Sequence, residues 1–88
     1  MKKLILVVTK GCKACDIMFE LVTKTLLDSR TAINVEVIDI ADLDKSVIKD
    51  YKINDCPSLV FIKDNVVKHT ICGTAPQPII KKYLNQVL

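Results

Sequence analysis

The chain has 88 residues, half of them hydrophobic, with two glycines and four cysteines. This is one domain, residues 1–88, large enough to hold a core without staples, and too apolar to be disordered or of low complexity. Thirteen basic residues against ten acidic ones leave a net charge of +3, scattered among few aromatics and no Trp, which describes a solvated surface and not a nucleic-acid platform.

Met1-Lys2-Lys3 precedes a short apolar run, Leu4-Ile5-Leu6-Val7-Val8. The run is too short for the apolar region of a signal peptide and no small-residue cleavage site follows, so residues 3–8 are expected to be a strand buried on both faces. No segment approaches the ~18 apolar residues of a membrane helix. Without a leader the cytoplasm is the expected compartment, where cysteines serve catalysis or metals more often than structural bridges.

Thr9-Lys10-Gly11-Cys12-Lys13-Ala14-Cys15 follows, with Gly11 in a tight turn. A helix is expected from about 13 to 29, with Ala14, Ile17, Met18, Leu21, Val22, Thr25 and Leu26 on its core-facing stripe. Asn34 to Ile40 forms the second strand, parallel to the first through a right-handed crossover. Asp42 or Asp44 caps a short second helix carrying Leu43, Val47, Ile48 and Tyr51. Pro57 stands before a third strand, Ser58 to Lys63, and Asp64-Asn65 supplies a hairpin turn that tolerates positive φ. In the fourth strand, residues 66–71, Val67, His69 and Ile71 alternate with Lys68 and Thr70, as at a half-exposed edge. Thr74 and Gln77 have capping-box spacing before a last helix with Ile79, Ile80, Tyr83, Leu84, Val87 and Leu88 on one face. The order is β-α-β-α-β-β-α, an α/β fold with a four-stranded mixed sheet and helices on both faces.

Chemistry concentrates at Cys12-Lys13-Ala14-Cys15. A strand-to-helix junction places Cys12 at a helix N-terminus, where unpartnered N–H groups and the helix dipole favour an anion. That setting, with Lys13 beside it, is expected to lower the Cys12 pKa from the free value of about 8.5, while Asp16 opposes the effect. Cys15, one turn on, is close enough for the pair to cycle between dithiol and disulfide. Cys12 is the expected nucleophile, and the more buried Cys15 resolves the mixed disulfide. His69, the single histidine, lies far along the chain from Cys12 and is not expected to pair with it.

With this element order, the Cys-x-x-Cys at the first helix, Tyr51-x-Ile53-x-x-Cys56-Pro57-Ser58 and Cys72-Gly73 after the hairpin, the chain resembles the thioredoxin/glutaredoxin superfamily in its short, glutaredoxin-sized form. The resemblance implies a thioredoxin-like fold and a cis Pro57 facing the active site. Cys56 would then sit beside Cys12, offering backbone hydrogen bonds to a substrate chain. Gly11, Lys13, Cys56, Pro57 and Gly73 are accordingly the expected substrate-binding residues. Three features depart from the family: Gly11 stands where thioredoxins carry Trp, Lys13-Ala14 where they carry Gly-Pro, and apolar residues near Leu6 where they keep a buried acid. The Lys13-Ala14, Asp55-Cys56-Pro57 and Gly73-Thr74-Ala75-Pro76 segments likewise match the pattern of glutathione-binding glutaredoxins poorly.

The expected function is thiol–disulfide exchange on protein disulfides, with the Cys12–Cys15 disulfide as redox centre and no other cofactor. Expected partners are protein disulfides and a reductase or thiol donor, with no nucleic acid and no membrane, and the chain is expected to act as a monomer. Two alternatives stand beside it. One is a zinc or iron–sulfur module using Cys12, Cys15, Cys56 and Cys72, although 56 and 72 lack the close spacing of strong zinc signatures. The other is a non-catalytic partner-binding module. Cys56 and Cys72 also read as small apolar filler.

Overall fold

In the computed structural model, which describes residues 1–87, four strands form one mixed sheet in the order β2-β1-β3-β4. The elements are β1 (Lys2–Val8), α1 (Lys13–Asp28), β2 (Asn34–Asp39), α2 (Lys45–Asp50), β3 (Ser58–Lys63), β4 (Val66–Cys72) and α3 (Gln77–Val87). The β1–β2 pair is parallel, and β1–β3 and β3–β4 are antiparallel.

Alternation along the two central strands builds two cores, because successive side chains point to opposite faces. On one face Leu4, Leu6, Leu59 and Phe61 meet Met18 and Val22 of α1 and Ile80 and Leu84 of α3. On the other, Ile5, Val7, Val60 and Ile62 meet Ile53, with Leu43, Ile48 and Tyr51 around α2 packed against them. The uninterrupted apolar runs of β1 and β3 thus mark strands covered on both sides.

The helix ends follow local chemistry. Asp39, at the end of β2, accepts the Ala41 N–H at 2.9 Å and starts a 3-10 turn over Ile40–Asp42, so the strand stops one residue before Ile40. Asp44 is the N-cap of α2. Both α1 and α2 end by turning one residue into the left-handed region, Arg30 (φ 52°) and Lys52 (φ 58°). The next N–H then closes back five residues, Thr31 to Leu26 O and Ile53 to Ile48 O, both at 3.1 Å. Asp64 and Asn65 adopt φ 53° and 65° in the hairpin turn, as the β3–β4 sequence predicts.

Four expectations are corrected. The buried face of α1 is Cys15, Met18, Val22 and Thr25, whereas Ile17 is 54% exposed, because the helix is rotated to turn Cys15 inward. A bulge in β4 sets Phe61 opposite His69 but Ile62 opposite Val67, so Lys68 is the extra residue. Val67 therefore packs with the α2-side core while Ile71 joins the other, and the simple alternation of Val67 with His69 and Ile71 fails. At α3, the Ile79 and Ile80 N–H groups bond Pro76 O at 3.0 and 3.2 Å and the helix starts at Gln77, so Thr74 lies outside a capping box. Ile79 is exposed while Ile80 and Leu84 are buried, and Leu88 lies outside the described residues.

His69 stacks on Tyr83 of α3, ring centroids 3.8 Å apart and planes 16° from parallel. Burial, and then the charge of Lys52, lower its pKa from about 6.5. The unfolded chain therefore takes up a proton more readily than the folded one, and stability rises with pH. The contribution is complete above the unfolded value of about 6.5 and is lost as pH falls through that value toward the folded one. Urea midpoints should fall between neutral and mildly acid pH, and His69→Gln should flatten that part of the profile. A profile unchanged by the substitution would show that other groups set it.

Candidate redox site

The C-terminal end of β1, the start of α1 and the N-terminal end of β3 lie at one end of the sheet, since β1 and β3 are antiparallel with Val7 opposite Ser58. Gly11 makes the turn between β1 and α1 at φ 71°, a left-handed conformation that a side chain would strain. Cys12 is the N-cap of α1, in extended conformation (φ −95°, ψ 103°), and its Sγ accepts the Cys15 N–H at 3.0 Å. That N–H has no carbonyl partner within the helix, so a negatively charged sulfur at Cys12 would be held by a hydrogen bond and by the dipole together. Lys13, the first residue of α1, is exposed beside it.

Cys12 and Cys15 form a disulfide, with Cα atoms 5.3 Å apart. The two sulfurs differ in access: Cys12 is half-buried and Cys15 only 3% exposed. One sulfur is partly open to solvent while the other lies behind it.

Cys56-Pro57 is a cis peptide bond, and Pro57 is buried. Pro57 O accepts the Gly73 N–H at 2.7 Å, and Ser58 Oγ donates to Asp55 O. Gly73 sits at φ 88°, so it serves as the turn after β4 and as the strut under Pro57. Cys56 is half-buried and packs with the α2-side core. Its thiol pKa is raised, chiefly by burial and then by Asp55, Asp39 and Cys72, which keeps it protonated and a poor nucleophile.

Cys72, also read as small apolar filler, is instead exposed, with its Sγ 3.6 Å from Lys52 O on the α2 side. Cys56 and Cys72 are free thiols. Among the described residues, no three His, Cys, Asp or Glu side chains are grouped as metal ligands. His69 is engaged with Tyr83, away from the cysteine pair.

A family model described as a thioredoxin domain matches residues 3–82. The chain belongs to the thioredoxin-domain family. Thioredoxin-2 of the malaria parasite, described as a component of its protein secretion machinery, superposes with a TM-score of 0.79 at 12% identity, covering 98% of this chain and 82% of that one. The reduced thioredoxin of Schistosoma mansoni gives 0.76 at 18% identity, covering 99% of this chain and 79% of that one. Thioredoxin from Aeropyrum pernix gives 0.77 at 13% identity, covering 99% and 75%. At these identities the structures speak for the fold. No curated protein sequence matches this chain. A thioredoxin domain with a closed Cys12–Cys15 pair supports a thiol redox role.

Two residues at the site escape a reading of motifs. Phe19, 46% exposed, and Val37 line a cleft that reaches Cys15. Phe19 lies four residues beyond Cys15 and so on the same helical face, which its spacing could have revealed. Val37 comes there only through the pairing of β2 with β1, where it stands opposite Leu6.

Proposed function

We propose that this thioredoxin domain is a thiol–disulfide oxidoreductase that reduces protein disulfides with the Cys12–Cys15 dithiol. The observation that carries this reading is the asymmetry of the pair: an accessible Cys12 at the N-cap of α1, its Sγ on the Cys15 N–H, joined to a buried Cys15. Cys12 attacks a substrate disulfide and forms a mixed disulfide, and Cys15 displaces the reduced product. The dithiol itself carries the two electrons, so no further cofactor is required.

Gly11, Lys13, Cys56, Pro57 and Gly73 surround the approach to Cys12 in this reading. The edge of Cys56 and the cis Pro57 offers backbone groups to an extended substrate segment. A thiol donor or reductase returns the disulfide to the dithiol. Free Cys56 and Cys72 fit a reducing compartment such as the cytoplasm, and the domain works as a monomer.

The test is anaerobic thiol trapping across a redox-buffer series, read by mass spectrometry, with metal analysis of the same sample. A two-electron transition confined to Cys12 and Cys15 is expected. Stoichiometric zinc or iron, with all four thiols protected together, would replace this reading with a metal module.

A further inference from the structure

Cys56 and Cys72, the two thiols outside the Cys12–Cys15 pair, both lie on the α2 side of the sheet. Thr70 and Cys72 alternate with Ile71 on β4 and so share a face. Both reach the exit of α2: Thr70 Oγ1 donates to Tyr51 O at 2.5 Å, and Cys72 Sγ donates to Lys52 O at 3.6 Å. Cys56 closes the loop that begins at Lys52, and it packs with the α2-side core. The backbones meet here too. Cys72 stands opposite Ser58, and the Gly73 N–H bonds Pro57 O at 2.7 Å, which makes Cys56 the diagonal neighbour of Cys72. The charge of Cys72 also acts on the Cys56 thiol, an influence that fades with distance.

A disulfide asks for Cα atoms about 4.4–6.8 Å apart, and diagonal neighbours in a sheet stand about 7–8 Å apart. A shift of about 1 Å closes that difference. The segment from Lys52 to Cys56 belongs to no helix or strand and can supply it. The two sulfurs differ in access. Cys72 is exposed and opens on a cleft of about 320 Å³ lined by Lys52, Asn54, Lys68 and Thr70 among others. Cys56 is half-buried and keeps its proton. A small oxidant therefore meets Cys72 first, with Cys56 behind it as a thiol able to condense with the oxidised sulfur.

We propose that Cys72 is a peroxide-oxidised thiol and that Cys56 resolves it, forming a second, reversible disulfide on the α2 side of the sheet. The Cys72 sulfur attacks one oxygen of hydrogen peroxide, the O–O bond breaks, and a sulfenic acid and one water result. The Cys56 sulfur then bonds to the Cys72 sulfur and displaces its hydroxyl, which leaves with the Cys56 proton as a second water. Two thiols are oxidised to one disulfide, and the peroxide is reduced to two waters. The shift that closure requires makes this bond readily reducible, so thiol–disulfide buffers leave it open and a dithiol reverses it. No turnover at Cys12 is involved, and the proposal stands apart from the oxidoreductase reading.

The experiment exposes the reduced full chain to a few equivalents of hydrogen peroxide, blocks the remaining thiols and maps the tryptic peptides by mass spectrometry. Lys63 and Lys68 lie between the two cysteines, so Cys56 and Cys72 fall on separate peptides and a bond between them is read directly. A monomer with these two peptides linked is expected, in the parent and in C12S/C15S alike, and dithiothreitol should return both thiols. In C56S the link is absent, and Cys72 should pass on to sulfinic acid at least about tenfold more than in the parent. In C72S the Cys56 thiol should survive the same exposure. Both thiols still free after Cys12–Cys15 has closed, a Cys72 bridge between two chains, or equal sulfinic acid in the parent and C56S would overturn the proposal.

Discussion

Replacing Cys15 with serine should convert turnover into capture. The Cys12 thiolate, held at the N-cap of α1 by the N–H of residue 15, needs no help from the Cys15 sulfur to attack. With a hydroxyl in place of that sulfur nothing displaces the product, so a mixed disulfide between Cys12 and the substrate accumulates to one per chain. Cys12→Ser should reduce disulfide reduction to the uncatalysed background and abolish capture, because a serine hydroxyl is not ionised at neutral pH and cannot exchange with a disulfide. Non-reducing electrophoresis with mass spectrometry of the trapped species checks both. A Cys12→Ser chain that retained full function would make the domain a docking module. Capture through Cys72, the exposed free thiol, would move the nucleophile to β4.

Phe61→Ala should be the most damaging single change to the fold. Phe61 is fully buried in the core between the sheet and the α1–α3 layer, with its ring 6.1 Å from those of His69 and Tyr83. Truncation removes most of the side chain from a site where β3 is hydrogen-bonded on both sides, which limits collapse around the cavity. The expected loss is about 3–5 kcal/mol. Domains of this kind are stable by about 5–15 kcal/mol in total, so the variant is left marginal or unfolded. Val66→Ala, at the exposed start of β4, is the matched control and should change stability by no more than about 0.5 kcal/mol. Urea unfolding of both variants measures the difference. A loss below about 1 kcal/mol for Phe61→Ala would mean that the core repacks around the gap.

Stability and exchange meet at the end of the sheet where the cysteines lie. Central strands covered on both faces hold the ends of β1 and β3 in register, Val7 opposite Ser58. The turn at Gly11 and the cis bond before Pro57 are thereby carried on a rigid base. The half-buried Cys56 stays a protonated thiol at this end because burial, Asp55, Asp39 and Cys72 all act in the same direction. In the proposed reaction it is thus a poor competitor for a mixed disulfide at Cys12, and resolution falls to Cys15.

The elements, their order and the redox pair are legible in the chain before it folds. The continuous apolar run at 4–8 reads as a strand covered on both faces, and Leu59 to Ile62 as part of the third strand. Asp64-Asn65 specifies the hairpin, and a Cys-x-x-Cys at a strand-to-helix junction specifies the reactive position. These are local signals, read from periods of two and of 3.6 residues and from backbone preference. Packing settles which way α1 is rolled, burying Cys15 and exposing Ile17, since both lie on plausible apolar stripes. Packing also sets the bulge at Lys68 that sends Val67 and Ile71 to different cores, because a one-residue slip depends on the fit against α2 and α3 and not on the strand's own pattern. Finally, only the parallel pairing of β2 with β1 brings Val37 to the cleft that Cys15 and Phe19 of α1 line, residues of two elements that have no common motif.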